Sequence, residues 1–120
     1  FAWIVNSEDG LDEISPYAKT KVAQIKDGQI SEITIDPKEL KVEADKFENI
    51  IGNDADFNAN KIINIFKGED NDFSKAVCLN AAAGLIVSEN KNKFNDAYQN
   101  AREHILSGKT YNYLKTIQNG

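Results

Sequence analysis

The sequence opens on five consecutive apolar residues, Phe1-Ala2-Trp3-Ile4-Val5, before breaking into Asn6-Ser7-Glu8-Asp9-Gly10. An apolar run without alternation reads as a strand covered on both faces, followed by a surface loop. Such a strand needs sheet neighbours and covering layers, which directs the chain to an α/β arrangement. The rest of the sequence supplies few further strands, so the missing sheet partners are expected upstream, and the start at Phe1 looks like a cut from something longer.

Two β-rich segments come next, Thr20 to Ile25 and Ile30 to Ile35. Between them lies Lys26-Asp27-Gly28-Gln29, and Asp-Gly supplies the positive φ angles of a two-residue turn, so an antiparallel hairpin is expected. Asp36-Pro37 sets a capping side chain before a proline and predicts a short helix near Lys38 to Leu40. The second half is helical. Ala59, Ile62, Ile63 and Phe66 fall at helical spacing, with Asn53 or Asp54 as cap and Gly68 as stop. Asp72 is expected to cap the next helix, roughly Phe73 to Ser88, whose Ala76, Val77, Leu79, Ala81, Ala82, Ala83, Leu85 and Ile86 leave no clear polar side and predict burial. Phe94, Ala97, Tyr98, Ala101 and Ile105 form a third stripe that ends near Gly108, and Tyr111, Leu114 and Ile117 mark a last short helix.

At 120 residues, 41% hydrophobic and 28% charged, the chain suits one globular unit. The net charge of −5, with lysines spread throughout, gives no basic face to release counterions from a phosphate backbone, so nucleic acid is not an expected partner. The single cysteine, Cys78, forms no internal disulfide and sits where a helix wants a small hydrophobe. The longest apolar stretch, Ala81 to Val87, is far below the ~20 residues of a membrane span, and no signal segment opens the chain. A cytoplasmic protein with no membrane contact is expected. Gly108-Lys109-Thr110 imitates the end of a phosphate-binding loop, but Glu103 stands where the earlier glycine belongs and a helix precedes it. Glu8-Asp9 and Glu69-Asp70-Asn71-Asp72 lack the spacing of a calcium loop and read as caps and surface. His104 flanks the third helix's apolar stripe, has no second histidine or cysteine to make a metal site with it, and reads as a partly packed helix residue. Asn80 lies among alanines that let its helix approach neighbours closely, and its amide is expected to bond locally.

Gly10-Leu11-Asp12-Glu13-Ile14-Ser15 carries the most specific signal. It resembles the Gly-Leu-Asp-Glu loop of the anthranilate phosphoribosyltransferases, and the rest of the chain keeps that family's order: Lys21-Val22-Ala23-Gln24-Ile25, Asp27-Gly28, Thr34-Ile35-Asp36-Pro37, then Asp54-Ala55 with Asn58-Ala59, Leu79-Asn80-Ala81-Ala82-Ala83, and Ala101-Arg102 through Ser107-Gly108-Lys109. The match covers essentially the whole chain.

The resemblance implies the C-terminal portion of the large α/β domain of the anthranilate phosphoribosyltransferase and nucleoside phosphorylase type of fold, with one buried strand, a β-hairpin and four to five helices. Residues 1–120 would then be a single partial domain, the N-terminal helical domain and the first half of the sheet lying outside it. The implied activity, in tryptophan biosynthesis, moves phosphoribosyl from phosphoribosyl pyrophosphate to the amine of anthranilate, releases pyrophosphate and needs magnesium. Asp12 and Glu13 match the family's magnesium-binding pair. Mg²⁺ prefers hard oxygen ligands, takes one or two carboxylates and fills its remaining positions with water and substrate phosphate, which two adjacent acids on a mobile loop can provide. The loop also comes directly after a strand, where ligands of open α/β sheets bind. The family's glycine-rich pyrophosphate loop and anthranilate-contacting basic residues belong upstream, so no catalytic and no substrate-binding residue is assigned here. The resemblance further implies a homodimer of the complete enzyme. Two other readings remain open: a same-fold transferase such as a pyrimidine-nucleoside phosphorylase, and a non-catalytic acidic binding module.

Overall fold

The computed structural model describes residues 1–89 and 93–120. β2 (Thr20–Lys26) and β3 (Gln29–Ile35) pair antiparallel, Lys26 opposite Gln29. Asp27 and Gly28 close the turn at φ 52° and 76°, the left-handed pair that a two-residue hairpin demands. The opening strand, β1 (Ala2–Ser7), adds antiparallel to the other side of β2, with Ala2 opposite Ile25 and Ser7 opposite Thr20. The sheet order is β1-β2-β3. Asn6 and Ser7, expected in the loop, extend the strand because they continue the ladder to Lys21 and Thr20.

The strand's expected burial on both faces is corrected by its alternating exposure. Trp3, Val5 and Ser7 turn inward with Val22 and Ile35, and the Trp3 ring stacks on Phe94 at 6.0 Å. Ile4 is 64% exposed, and across the same outer face Ile25 and Ile30 are exposed too. The run is apolar on both sides, as the sequence says, but the described residues cover only one.

After β3, Asp36 does cap, its carboxylate accepting from the Lys38 N–H at 2.9 Å. A helix does not form there. Bonds from the Leu40 and Val42 N–H groups to the Asp36 and Pro37 carbonyls make a compact turn, which Lys41 ends in the left-handed region at φ 56°. An extended stretch then leads to a 3-10 turn, Phe47–Ile50, which no sequence signal announced.

Among the described residues, four α-helices complete the fold. In α1 (Ala55–Phe66) the Asp54 carboxylate accepts from the Phe57 N–H at 2.8 Å, satisfying a donor that the first turn would otherwise leave open. α2 (Asp72–Glu89) starts differently from expectation. Its cap is Asn71, whose side chain accepts from the Ser74 N–H while the Ser74 hydroxyl accepts from the Asn71 N–H, both at 2.9 Å. Asp72 lies inside the first turn and is free for other work. α2 is also only partly covered: Cys78, Leu79, Ala82 and Ile86 are buried, whereas Ala81 and Gly84 are exposed. α3 (Phe94–Leu106) lays Ala97, Tyr98, Ala101 and Ile105 against α2, and α4 (Lys109–Asn119) leaves Gly108 at φ 80° and buries no residue fully. The core therefore sits between the inner sheet face and the α2–α3 pair, closed by Ile14 and Val42 from the loops. Burial of Cys78 pushes its thiol pKa up to about 11, the behaviour of a core residue and not of a nucleophile. No helix among the described residues is long and apolar enough to cross a membrane.

Candidate functional site: the acidic loop between β1 and β2

The segment from Glu8 to Lys19 links β1 to β2, and a few short bonds set its shape. The Ser7 N–H donates to the Leu11 carbonyl at 2.9 Å and the Gly10 N–H to the Ser7 carbonyl at 3.0 Å. Gly10 turns the chain at φ 93°, a conformation a Cβ would strain, while no atom crowds the position itself. Asp9 then clasps the two limbs together: its carboxylate accepts from the Leu11 N–H and from the Ser15 hydroxyl. Burial alone would raise the Asp9 pKa, but the hydrogen bonds from the Ser15 and Ser7 hydroxyls and from backbone N–H groups outweigh it and hold the carboxyl below its usual range. Ser15 is fully buried, its hydroxyl accepts from the Tyr17 and Ala18 N–H groups, and its own N–H donates to the buried Thr20 hydroxyl at 3.2 Å.

Asp12 and Glu13 stand between these anchors. Both side chains are exposed, and neither carboxylate bonds to a described residue. The very next residue, Ile14, is 1% exposed and part of the core. Its N–H donates to the Asn80 side-chain oxygen at 2.9 Å, and the Asn80 NH₂ donates back to the Ile14 carbonyl at 3.0 Å and to the Ala76 carbonyl at 2.9 Å. Asn80 thus bonds locally, as expected, and also reaches across to the loop. Where the sequence suggests a mobile loop, the structure has two free carboxylates on a segment tied down at both ends.

Behind this loop, Asp72 gathers five neighbours. Its side chain is buried and accepts from the Tyr17 hydroxyl at 3.2 Å, the Asp45 N–H at 2.9 Å, the Lys46 N–H at 3.2 Å and the Asn49 amide at 2.9 Å, with Lys75 as ion-pair partner at 3.2 Å. Burial pulls the Asp72 pKa upward, but these donors prevail and hold it far below the ordinary carboxylate range. Tyr17 moves the other way, raised by burial and by the Asp72 charge.

The remaining acids of that run do as expected: Asp70 pairs with Arg102 and accepts from Ser74, and Glu69 accepts from the Asn71 amide. His104 is exposed, and the described residues contain no group of three or more His, Cys, Asp or Glu fit to enclose a metal ion. A fully protein-made cage is therefore not what Asp12 and Glu13 offer. Two unpaired neighbouring carboxylates with open space around them match a hard cation that keeps water and shares its shell with a phosphate ligand. Sequence reasoning singled out this pair as the candidate. It missed Asp9, Ser15, Asp72 and the reach of Asn80, which matter through contacts with distant parts of the chain.

Comparison with known proteins gives the geometry its setting. The first 111 residues match the model of the glycosyl transferase family a/b domain. The anthranilate phosphoribosyltransferase of Pelagibacter ubique (strain HTCC1062) is 75% identical over 119 residues, 99% of this chain and 36% of that protein. That of Myxococcus xanthus (strain DK1622) is 37% identical over 120 residues, again 99% of this chain and 36% of the relative. The chain thus spans about a third of the length of these relatives. Among solved structures, anthranilate phosphoribosyltransferase from Thermus thermophilus superposes with a TM-score of 0.83 at 25% identity, covering 96% of this chain and 34% of that one. The Saccharomyces cerevisiae enzyme in complex with PRPP and Mg gives a TM-score of 0.81 at 24% identity, covering 94% and 33%. The three-stranded antiparallel sheet and the four α-helices of the described residues follow the fold of these structures, and this chain belongs to the glycosyl transferase family, matching the model of its a/b domain.

Proposed function

We propose that this chain is the C-terminal part of the catalytic domain of an anthranilate phosphoribosyltransferase, a cytoplasmic enzyme of tryptophan biosynthesis that acts as a homodimer. The observation that carries the reading is the 75% identity maintained over 99% of the chain. The reaction joins the anthranilate amine nitrogen to C1 of the phosphoribosyl group. The bond from C1 to the pyrophosphate oxygen breaks, its electron pair leaves with pyrophosphate, and the amine gives up a proton.

In this reading the residues of the chain supply the metal side of the site. Asp12 and Glu13 would hold Mg²⁺ through their free carboxylates. When bound, the metal offsets the charge that gathers on the departing pyrophosphate. The Asp9–Ser15 clasp and the buried Ile14 keep the two acids on the rim of the strand end without taking up their oxygens. Both substrates are held by residues upstream of Phe1, together with an N-terminal helical domain and the rest of the sheet.

Assays of the complete enzyme test the proposal. Phosphoribosyl anthranilate should form from anthranilate and phosphoribosyl pyrophosphate, with no phosphorolysis of pyrimidine nucleosides. Phosphorolysis without anthranilate turnover would assign a same-fold nucleoside phosphorylase instead. Absence of both, with no magnesium response that depends on Asp12 and Glu13, would favour a non-catalytic acidic module.

A further inference from the structure

Asp12 and Glu13 have no side-chain bonds that fix their direction, so the backbone that carries them must do it. On one side that backbone is tied by the bonds among Ser7, Asp9, Gly10 and Leu11. On the other side it enters the core at Ile14, where the peptide groups flanking this residue need partners because burial removes water as an alternative. No strand is there to supply them. Asn80 supplies both, one side-chain oxygen for the N–H and one side-chain N–H for the carbonyl, so a helix side chain imitates the edge of a neighbouring strand. Its second N–H is bound to the Ala76 carbonyl one turn earlier in α2, which fixes the amide's own orientation.

No other side chain does this as compactly. Aspartate has no donor for the Ile14 carbonyl, glutamine has an extra methylene, and serine cannot span donor and acceptor together. The arrangement recurs among the described residues: Asn58 of α1 accepts from the Asn53 N–H at 2.9 Å and donates to the Asn53 carbonyl at 3.1 Å. There the loop is packed so closely that a Cβ on Gly52 would come within 2.8 Å of the amide oxygen. Asparagine on a helix is a device this fold uses to hold a loop, and at Ile14 the loop held is the acidic one.

We infer that Asn80 is a positioning residue for the metal pair: by fixing the Ile14 peptide groups it sets where the Asp12 and Glu13 carboxylates stand. The inference rests on the proposed magnesium role of those two acids. The Asn80 amide bonds to Ile14 and Ala76, and its effect passes through the backbone of the residue next to Glu13.

The test uses the complete enzyme with Mn²⁺ as a paramagnetic probe in the presence of pyrophosphate. Five proteins are compared: wild type, Asn80→Ala, Asn80→Asp, the Asp12→Asn/Glu13→Gln double variant, and Cys78→Ala, which weakens the buried face of α2 and leaves the Asn80 amide in place. Asn80→Ala should bind Mn²⁺ about tenfold more weakly or worse, the usual scale for losing a group that orients a ligand. Its Ile14 amide should exchange with solvent faster than in wild type while the amides of α3 keep their rates. Asn80→Asp, which retains the acceptor and loses the donors, should fall between the two. In turnover, kcat should drop while KM for anthranilate stays.

If Asn80→Ala binds Mn²⁺ as wild type does and only the double variant loses it, Asn80 positions nothing although the metal pair stands. The inference also fails if Cys78→Ala, at equal loss of thermal stability, weakens Mn²⁺ as much. If the double variant itself binds normally, the metal role falls, and the positioning role falls with it.

Discussion

Asp12 and Glu13 could be singled out as candidates because their signal is local: two adjacent acids after a strand, inside a recognisable run from Gly10 to Ser15. Asp72 and Asn80 were not, since each gains its meaning from partners more than twenty residues away. A buried charge accepting from several donors leaves all of them stranded when it is removed, so Asp72→Ala should lower unfolding free energy by ~3 kcal/mol in urea titrations. Its pH dependence has a definite sign. The folded pKa lies below the unfolded value, so the carboxylate contributes stability that is fully present above the usual carboxylate pKa of ~3.9 and is lost as pH falls through that value toward the folded pKa. Between pH ~5 and pH ~2.5, wild type should therefore lose stability more steeply than Asp72→Asn, with Asp9 adding a smaller drift of the same sign to both. Cys78 gives an independent check on burial: with its thiol pKa pushed up to about 11 and its sulfur out of reach, it should resist a thiol-reactive dye at pH ~8 until the protein unfolds.

At the scale of elements, the Asp-Gly turn between two β-rich segments placed the hairpin and periodicity placed the four α-helices of the described residues, because both depend on side chains a few residues apart. Asp27-Gly28 could do little but turn, and Asp54 capped α1 as read. The start of α2 was off by one residue. Asn71 and Asp72 are equally good caps by type, and the choice is made by Ser74, three residues beyond Asn71, which returns a hydrogen bond to the Asn71 N–H. Asn71→Ala should accordingly cost ~1 kcal/mol of stability, while the loss at Asp72 should be larger and show the pH dependence above. The helix expected near Lys38 fails because Lys41 enters the left-handed region, a choice set by the Val42 side chain reaching the core and invisible to any local rule.

For the molecule as a whole, the unbroken apolar run at Phe1 to Val5 announced a strand but not its exposure: burial on both faces was expected, and the described residues cover only the inner one, leaving Ile4, Ile25 and Ile30 exposed on the other. The 120-residue chain by itself should then associate through the side bearing Ile4, Ile25 and Ile30, and Ile4→Lys with Ile30→Lys should keep it monomeric in sedimentation without loss of helix signal, since both residues are exposed. The same sheet carries the acidic loop at the end where β1 hands over to β2, which makes the loop's rigidity a property of the fold. The central claim is that its two free carboxylates serve a divalent cation. The most direct measurement is turnover of the complete enzyme across a magnesium titration, wild type against Asp12→Asn/Glu13→Gln. A loss of about 100-fold at limiting magnesium with folding intact is predicted. Near-normal turnover of the double variant at the same magnesium concentration would contradict the account.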